Sequence, residues 1–306
     1  MTKRLFARGL AALAFAAVLA GIAAPAQAEF KAEVKYAQVG EVKLAYYLRG
    51  QGDPLIMIMG YTGTMGAWDP ALLDVLDDTN TLIMFDNRGA GLSTDTREDY
   101  TTIPQMADDA AGLLKALGYD KANVLGWSMG ARIAQQLVIR HPDMVNKAVL
   151  AAPNPGGSRQ VPAEASIAGK LNDPAIPVME KAPLAFPDTP EGKLAMQQSM
   201  ARMDAARKSG EIPDDLVTSA QTAERQNRAR SVLWAADEQN YQDLAKITLP
   251  VLVADGRDDV IDPPENARII AAQIPFAWLA FYEGGHAFLY QSAEKFGGTV
   301  NLFLSK

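Results

Sequence analysis

Short apolar runs alternate with stretches of helical periodicity along most of this chain. Val34 to Val39 and Val42 to Leu48, separated by Gly40-Glu41, predict an opening hairpin. Leu55 to Met59, Thr81 to Phe85, Asn123 to Leu125, Lys147 to Ala151, Pro250 to Ala254 and Ala277 to Tyr282 predict six further strands. Runs apolar on both faces are what a buried parallel sheet requires. Helical patterns fall between them, over Ala67 to Leu76, Ile103 to Leu117, Met129 to Arg140, Asn266 to Gln273 and Ala293 to Leu304. Strand–helix alternation implies an α/β fold with helices on both faces of the sheet. One connection breaks the rhythm. Between Ala152 and Leu249 no convincing strand is found, while Glu191 to Ser209 and Asp214 to Ala236 read as helical. A structureless loop of that length is uncommon in a domain. Residues 153–248 are therefore expected to form a helical cap inserted into a core made of 29–152 and 249–306.

The first 28 residues stand apart. Lys3, Arg4 and Arg8 precede an uncharged run from Leu10 to Ile22, and Ala26-Gln27-Ala28 fits a small-x-small cleavage site. This is the pattern of a secretory signal peptide. The apolar run is shorter than a bilayer-spanning helix needs. The expected mature protein is periplasmic or secreted, with no membrane span. Cleavage would remove three basic and no acidic residues, taking the formal charge from −7 to −10. Such a charge disfavours nucleic acid as a partner. With 48% apolar and 21% charged residues the chain has a globular composition. It has no cysteine, which excludes disulfides, thiolate metal sites and cysteine nucleophiles. Only two histidines occur, His141 and His286.

Gly126-Trp127-Ser128-Met129-Gly130 lies between a predicted strand and a predicted helix. A serine on so sharp a turn is held in strained geometry, and flanking glycines let strand and helix approach. The turn lifts the hydroxyl clear of the sheet at a helix N-terminus. A serine hydroxyl needs a base. His286, in Glu283-Gly284-Gly285-His286, follows the last strand and is expected at the same sheet edge. His141 ends a helix beside Pro142, where histidine commonly meets terminal carbonyls. The base in turn needs a carboxylate to hold its tautomer. Asp259, three residues after Gly256, is the choice in the loop Asp255–Asp262, with Asp258 its close rival. The chain order is serine, aspartate, histidine.

These residues resemble the α/β-hydrolase superfamily. Gly126–Gly130 looks like its nucleophile elbow and Gly256–Asp259 like its G-x-x-D acid loop. Gly285-His286 looks like its histidine loop, and Asp86-Asn87-Arg88-Gly89-Ala90-Gly91-Leu92-Ser93 like its D-x-R-G-x-G-x-S loop. The resemblance implies a mostly parallel eight-stranded sheet with an inserted helical cap. It also implies an oxyanion hole made by two backbone N–H groups, that of Met129 and that of Tyr61. The His-Gly pair usual before the second donor is replaced here by Met59-Gly60. The Asp86–Ser93 loop is expected to be structural. Tyr61, Trp127 and Met129 are expected near the nucleophile and, together with Met65, suggest an apolar pocket, with Met65 and Trp127 as substrate-binding residues for an apolar acyl group.

The expected function is hydrolysis of a small carboxylic ester through an acyl-enzyme on Ser128, with no cofactor and no metal. Amidase or aminopeptidase, thioesterase, acyltransferase and cofactor-free perhydrolase chemistry could use the same residues. A non-catalytic ligand-binding protein on a hydrolase fold is the alternative from another class. Asp-nucleophile dehalogenases and epoxide hydrolases are disfavoured by Ser128.

Overall fold

The computed structural model describes residues 30–95, 101–173, 175–214 and 217–306. The expected signal peptide over 1–28 lies outside the described residues. Eight strands form one sheet: β1 (Lys35–Val39), β2 (Val42–Arg49), β3 (Asp53–Ile58), β4 (Asn80–Phe85), β5 (Ala122–Trp127), β6 (Val145–Ala151), β7 (Val251–Gly256) and β8 (Ala277–Tyr282). Their spatial order is β1-β2-β4-β3-β5-β6-β7-β8. The β1–β2 and β2–β4 pairs are antiparallel and the rest are parallel. β3, β5, β6 and β7 lie side by side with their C-terminal ends at one edge, where an open α/β sheet places ligands.

Each inner strand feeds two cores. Ile56, Ile83 and Val124 face one layer, packed with Ile103, Met106, Ile133, Leu137 and Ile270. Leu55, Leu82 and Leu125 face the other, packed with Leu72, Leu76, Phe296 and Val300. The helices that supply these partners are α1 (Pro70–Leu76), α2 (Ile103–Ala116) and α3 (Met129–Arg140) in the first half of the chain. This two-sided burial is why the inner strands read as continuous apolar runs. β8 is an edge strand and departs from that rule, with Trp278 and Leu279 exposed.

The helix expected from Ala67 starts later. Asp69 caps α1 by accepting from Ala71 N at 3.0 Å, with Pro70 in the first turn. Met65–Ala67 forms a separate 3₁₀ turn.

Between β6 and β7 run α4 (Ala165–Asn172), α5 (Val178–Lys181), α6 (Pro190–Ser209), α7 (Ala220–Asn227) and α8 (Glu238–Leu244). α7 passes into a π-helical turn over Arg228–Leu233. α6 is capped by Thr189 and ends on Gly210, whose φ of 81° needs glycine. Directional contacts tie these helices to the core. Arg202 and Ser199 bond the fully buried Asp69, and Arg49 bridges Asp77 and Glu211. Arg132 Nη1 donates to Arg230 O. The chain closes with α9 (Glu265–Gln273), α10 (Phe288–Gln291) and α11 (Ala293–Leu304). Among the described residues no helix is long and apolar enough to cross a membrane.

Candidate active site

Ser128 sits between β5 and α3 with φ 59° and ψ −120°. Few non-glycine residues adopt such angles, and the surroundings must impose them. They do so by close packing. A Cβ on Gly126 would collide with the Gly130 carbonyl oxygen, and one on Gly130 with the carbonyl oxygen of Ile58. Strand and helix therefore meet backbone to backbone on either side of the serine. Ser128 N donates to Ala151 O at 2.9 Å, which fixes the turn to β6. The Ser128 hydroxyl has no hydrogen-bond partner among the described residues and opens on a cavity of about 640 Å³.

His286 lines the same cavity and is otherwise buried. Its Nδ1 lies 2.7 Å from Asp259 Oδ2, so Nε2 is the nitrogen left to face a partner on the cavity side. Asp259 is held from behind, its Oδ1 accepting from Ile261 N at 2.7 Å and Asp262 N at 3.0 Å. Asp258 is exposed, and its N–H donates to Gly284 O. The two loops meet because Gly256 has no side chain. A Cβ there would strike the Gly285 carbonyl oxygen. Burial alone would lower the His286 pKa. The charge and hydrogen bond of Asp259, with the more distant Asp262, outweigh it and raise the value above 6.5.

Trp127 donates from Nε1 to His286 O at 2.9 Å, and its ring lies 5.7 Å from the imidazole. It therefore both lines the cavity and steadies the histidine loop. His141 lies elsewhere. Its Nε2 is 2.7 Å from the carboxylate of Asp108, not on the helix-terminal carbonyls expected from its position.

The N–H groups of Tyr61 and Met129 have no acceptor among the described residues. The loop that carries Tyr61 is braced at several points. Asn87 Nδ2 donates to Met59 O, and Thr62 N donates to Gln226 Oε1. Asp86 accepts from Met65 N at 2.7 Å and Leu92 N at 2.8 Å, while Arg88 pairs with Asp109. Burial, partly countered by those two N–H bonds, pushes the Asp86 carboxyl up to about 6.

Two expectations about the wall need correction. Met65 is fully buried in the core beside Leu72 and Trp68, and forms no part of the cavity. The Met129 side chain likewise points into the core. The position after Ser128 is directed inward by the helix, and methionine fits core and pocket equally well. The wall instead combines Tyr61, Trp127, Phe186, Met196, Met200 and Met203 with a charged group. Arg132, one turn after Ser128, places Nη2 2.7 and 2.8 Å from the two oxygens of Asp262. Asn154 Nδ2 joins them at 3.0 Å. Sequence reasoning missed this group because Arg132 shares the polar face of α3 with Gln135 and Gln136, a face that reads as solvent-facing although all three are buried. Asp255, buried behind the acid loop, is held well above the ordinary carboxylate range by burial and by neighbouring Asp259.

A family model described as alpha/beta hydrolase fold matches residues 53–293. The chain belongs to the α/β-hydrolase fold family. It is 29% identical over 266 residues to a Mycobacterium tuberculosis protein that carries the name non-heme bromoperoxidase BpoC, covering 83% of this chain and 94% of that one. It is also 29% identical over 260 residues to a poly(3-hydroxyalkanoate) depolymerase of Ectopseudomonas oleovorans, covering 83% and 84%. Among solved structures, an alpha/beta hydrolase fold protein from Chitinophaga pinensis superposes with a TM-score of 0.74 at 26% identity, covering 89% of this chain and 97% of that one. As a member of this family the chain is a hydrolase.

Proposed function

We propose that this hydrolase cleaves carboxylic esters through an acyl-enzyme on Ser128. One observation carries the reading: a strained serine at the elbow opens on the cavity that also holds His286, whose far nitrogen is bonded to buried Asp259. His286 Nε2 takes the hydroxyl proton as Ser128 attacks the ester carbonyl. The N–H groups of Tyr61 and Met129 receive the developing oxyanion. His286 then protonates the leaving alcohol. Water, deprotonated by the same nitrogen, releases the acid and restores the serine. Asp259 is a positioning residue that keeps the Nδ1 proton in place and stabilises the imidazolium.

The test is hydrolysis of p-nitrophenyl acetate, butyrate and octanoate beside Ser128→Ala, with fluorophosphonate labelling of the wild type. Turnover and labelling that both vanish in the variant support the reading. A wild type that neither turns over any ester nor takes the label sinks it. Export of the mature chain after cleavage at Ala28 is part of the proposal, and N-terminal sequencing of protein from periplasm and medium reads it.

The resemblance to the protein named bromoperoxidase favours one second reading. Hydrogen peroxide in place of water would take the acyl group from Ser128 as a peracid, which would then oxidise bromide. Bromination that depends on peroxide, bromide and a carboxylate, and that is lost in Ser128→Ala, would identify it.

A further inference from the structure

The cavity wall carries four cationic side chains, Arg132, Lys181, Arg207 and Arg230, and one carboxylate, Asp262. Asp262 is already engaged by both Arg132 and Asn154. Arg230 is 8% exposed, and no ion pair joins it to a carboxylate among the described residues. Its Nη2 donates to the amide oxygens of Asn172 and Asn227 at 2.7 and 2.6 Å. Its guanidinium lies over the Tyr61 ring, 4.2 Å from the centroid. Its Nε is buried with no partner. Among the described residues, Lys181, 9% exposed, donates only to the carbonyl oxygens of Leu171 and Asp173. Burial, and then the neighbouring Arg230 charge, hold it below an ordinary lysine value.

Two buried cations thus hydrogen-bond neutral acceptors, with the nearby Asp262 already engaged by Arg132, and burying charge without a directly paired counter-ion is costly. A purely structural role does not explain the choice. A neutral amide at 230 could bond Asn172 or Asn227 without burying a charge. The placement also has direction. Arg230 sits on the π-helical turn Arg228–Leu233, a type of irregularity frequent at functional sites. It stacks on Tyr61, the residue whose N–H faces the reacting carbonyl in the proposed mechanism. The wide planar fork of arginine suits a carboxylate, and an ammonium beside it adds a second point of attraction.

We propose that Arg230, with Lys181 beside it, forms a carboxylate-binding subsite, so that the substrate is an ester bearing a second, anionic group in its acid or its alcohol half. This rests on the esterase reading above. Two matched pairs test it. Mono-4-nitrophenyl adipate against its methyl ester places the anion on the acyl side. 4-Acetoxybenzoate against methyl 4-acetoxybenzoate places it on the leaving group. At least one acid is expected to exceed its neutral partner in kcat/KM by about 10- to 100-fold, the worth of one charge-assisted hydrogen bond. Arg230→Gln should bring that ratio near one, chiefly through KM, and Arg230→Lys should restore part of it. Lys181→Gln, a second variant at a separate element, should lower the same ratio. Neither acid being preferred, or a preference that survives Arg230→Gln, overturns the subsite.

Calorimetric binding of monomethyl adipate and 4-acetoxybenzoate to Ser128→Ala separates the two proposals. Arg230-dependent binding by a protein that hydrolyses no ester leaves the subsite and removes the esterase. Ester hydrolysis with no preference and no Arg230-dependent binding removes the subsite alone. Neither hydrolysis nor binding removes both.

Discussion

Asp259→Asn is the substitution that most directly probes the positioning role of the buried carboxylate. Asparagine has the same shape. Its Oδ1 can keep the bonds from Ile261 N and Asp262 N that hold the side chain in place. Its amide nitrogen must then face His286 Nδ1, where Asp259 Oδ2 now sits 2.7 Å away. Two donors cannot share that contact. His286 therefore turns Nδ1 into the acceptor and carries its proton on Nε2, the nitrogen that has to receive the serine proton. In serine hydrolases with this arrangement, the wrong tautomer costs about 10⁴ in kcat, or about 5.5 kcal/mol of barrier. We expect a loss of about 10³ to 10⁴ on p-nitrophenyl butyrate, with KM changed little. Asp258→Asn is the matched control, because Asp258 is exposed and the carboxylate on His286 Nδ1 is that of Asp259. It should change kcat/KM by no more than about twofold, in keeping with surface substitutions. The pH profile adds an independent readout. His286 must be neutral to act as a base, so activity rises with pH as it deprotonates. Its raised pKa puts the acid limb of kcat/KM above 6.5. In Asp259→Asn burial is left as the main influence, and the limb of any residual activity should move below 6.5. Retention of a tenth or more of wild-type kcat in Asp259→Asn would refute the reasoning. So would a larger loss in Asp258→Asn.

Two further perturbations address how the fold holds the site. Gly130→Ala places a Cβ against the Ile58 carbonyl oxygen, a backbone atom that cannot turn aside. It should destabilise the protein by at least about 1–3 kcal/mol in urea unfolding, and a stable, fully active variant would contradict the described packing. Asp86, with its carboxyl pushed up to about 6 from 3.8, binds its proton more tightly when folded. Its stabilising contribution is complete below about pH 3.8 and is lost as pH rises through about 6. The stability of wild type minus that of Asp86→Asn should thus fall by about 2–3 kcal/mol between pH 4 and 7, and a flat difference would count against it.

The parts of the site that were legible in the sequence are those whose geometry is local. Gly126, Ser128 and Gly130 stand within five residues, and the turn they make needs glycine on each side whatever surrounds it. The inner strands were legible because two-sided burial leaves no room for polar residues. Their ends were less so. β3 begins at Asp53 and β5 extends to Trp127, since a polar or bulky residue can pair at a sheet edge without being buried. The rivalry between Asp258 and Asp259 could not be resolved from order alone. It depends on where Gly256 lets its loop meet Gly285, and on two backbone N–H groups that grip one carboxylate and not the other. Met65 misled for a related reason. An apolar residue near the nucleophile fits the core as well as the pocket, and here the core holds it.

The charged wall was hidden for a different reason. Lys181 and Arg230 lie on short segments, Val178–Lys181 and Arg228–Leu233, too brief to display one face in the sequence. Only the docking of those segments buries their cations. That docking adds few residues to the main cores: Ala206 and Ile212 on one side, Ala229, Trp234, Leu244 and Ile247 on the other. Much of the alignment falls instead to directional contacts, such as Arg202 on Asp69, Gln226 on Thr62 and the Arg230 carbonyl on Arg132. The elbow is fixed differently, by backbone packing among β3, β5 and α3. Substitutions in 153–248 can therefore alter the size and charge of the cavity while Ser128 stays where the sheet puts it. The histidine loop is less independent of that segment, since Ala287 N donates to Ala185 O. A residue such as Arg230 is then best judged by what it faces across the cavity, not by the pattern of its own helix.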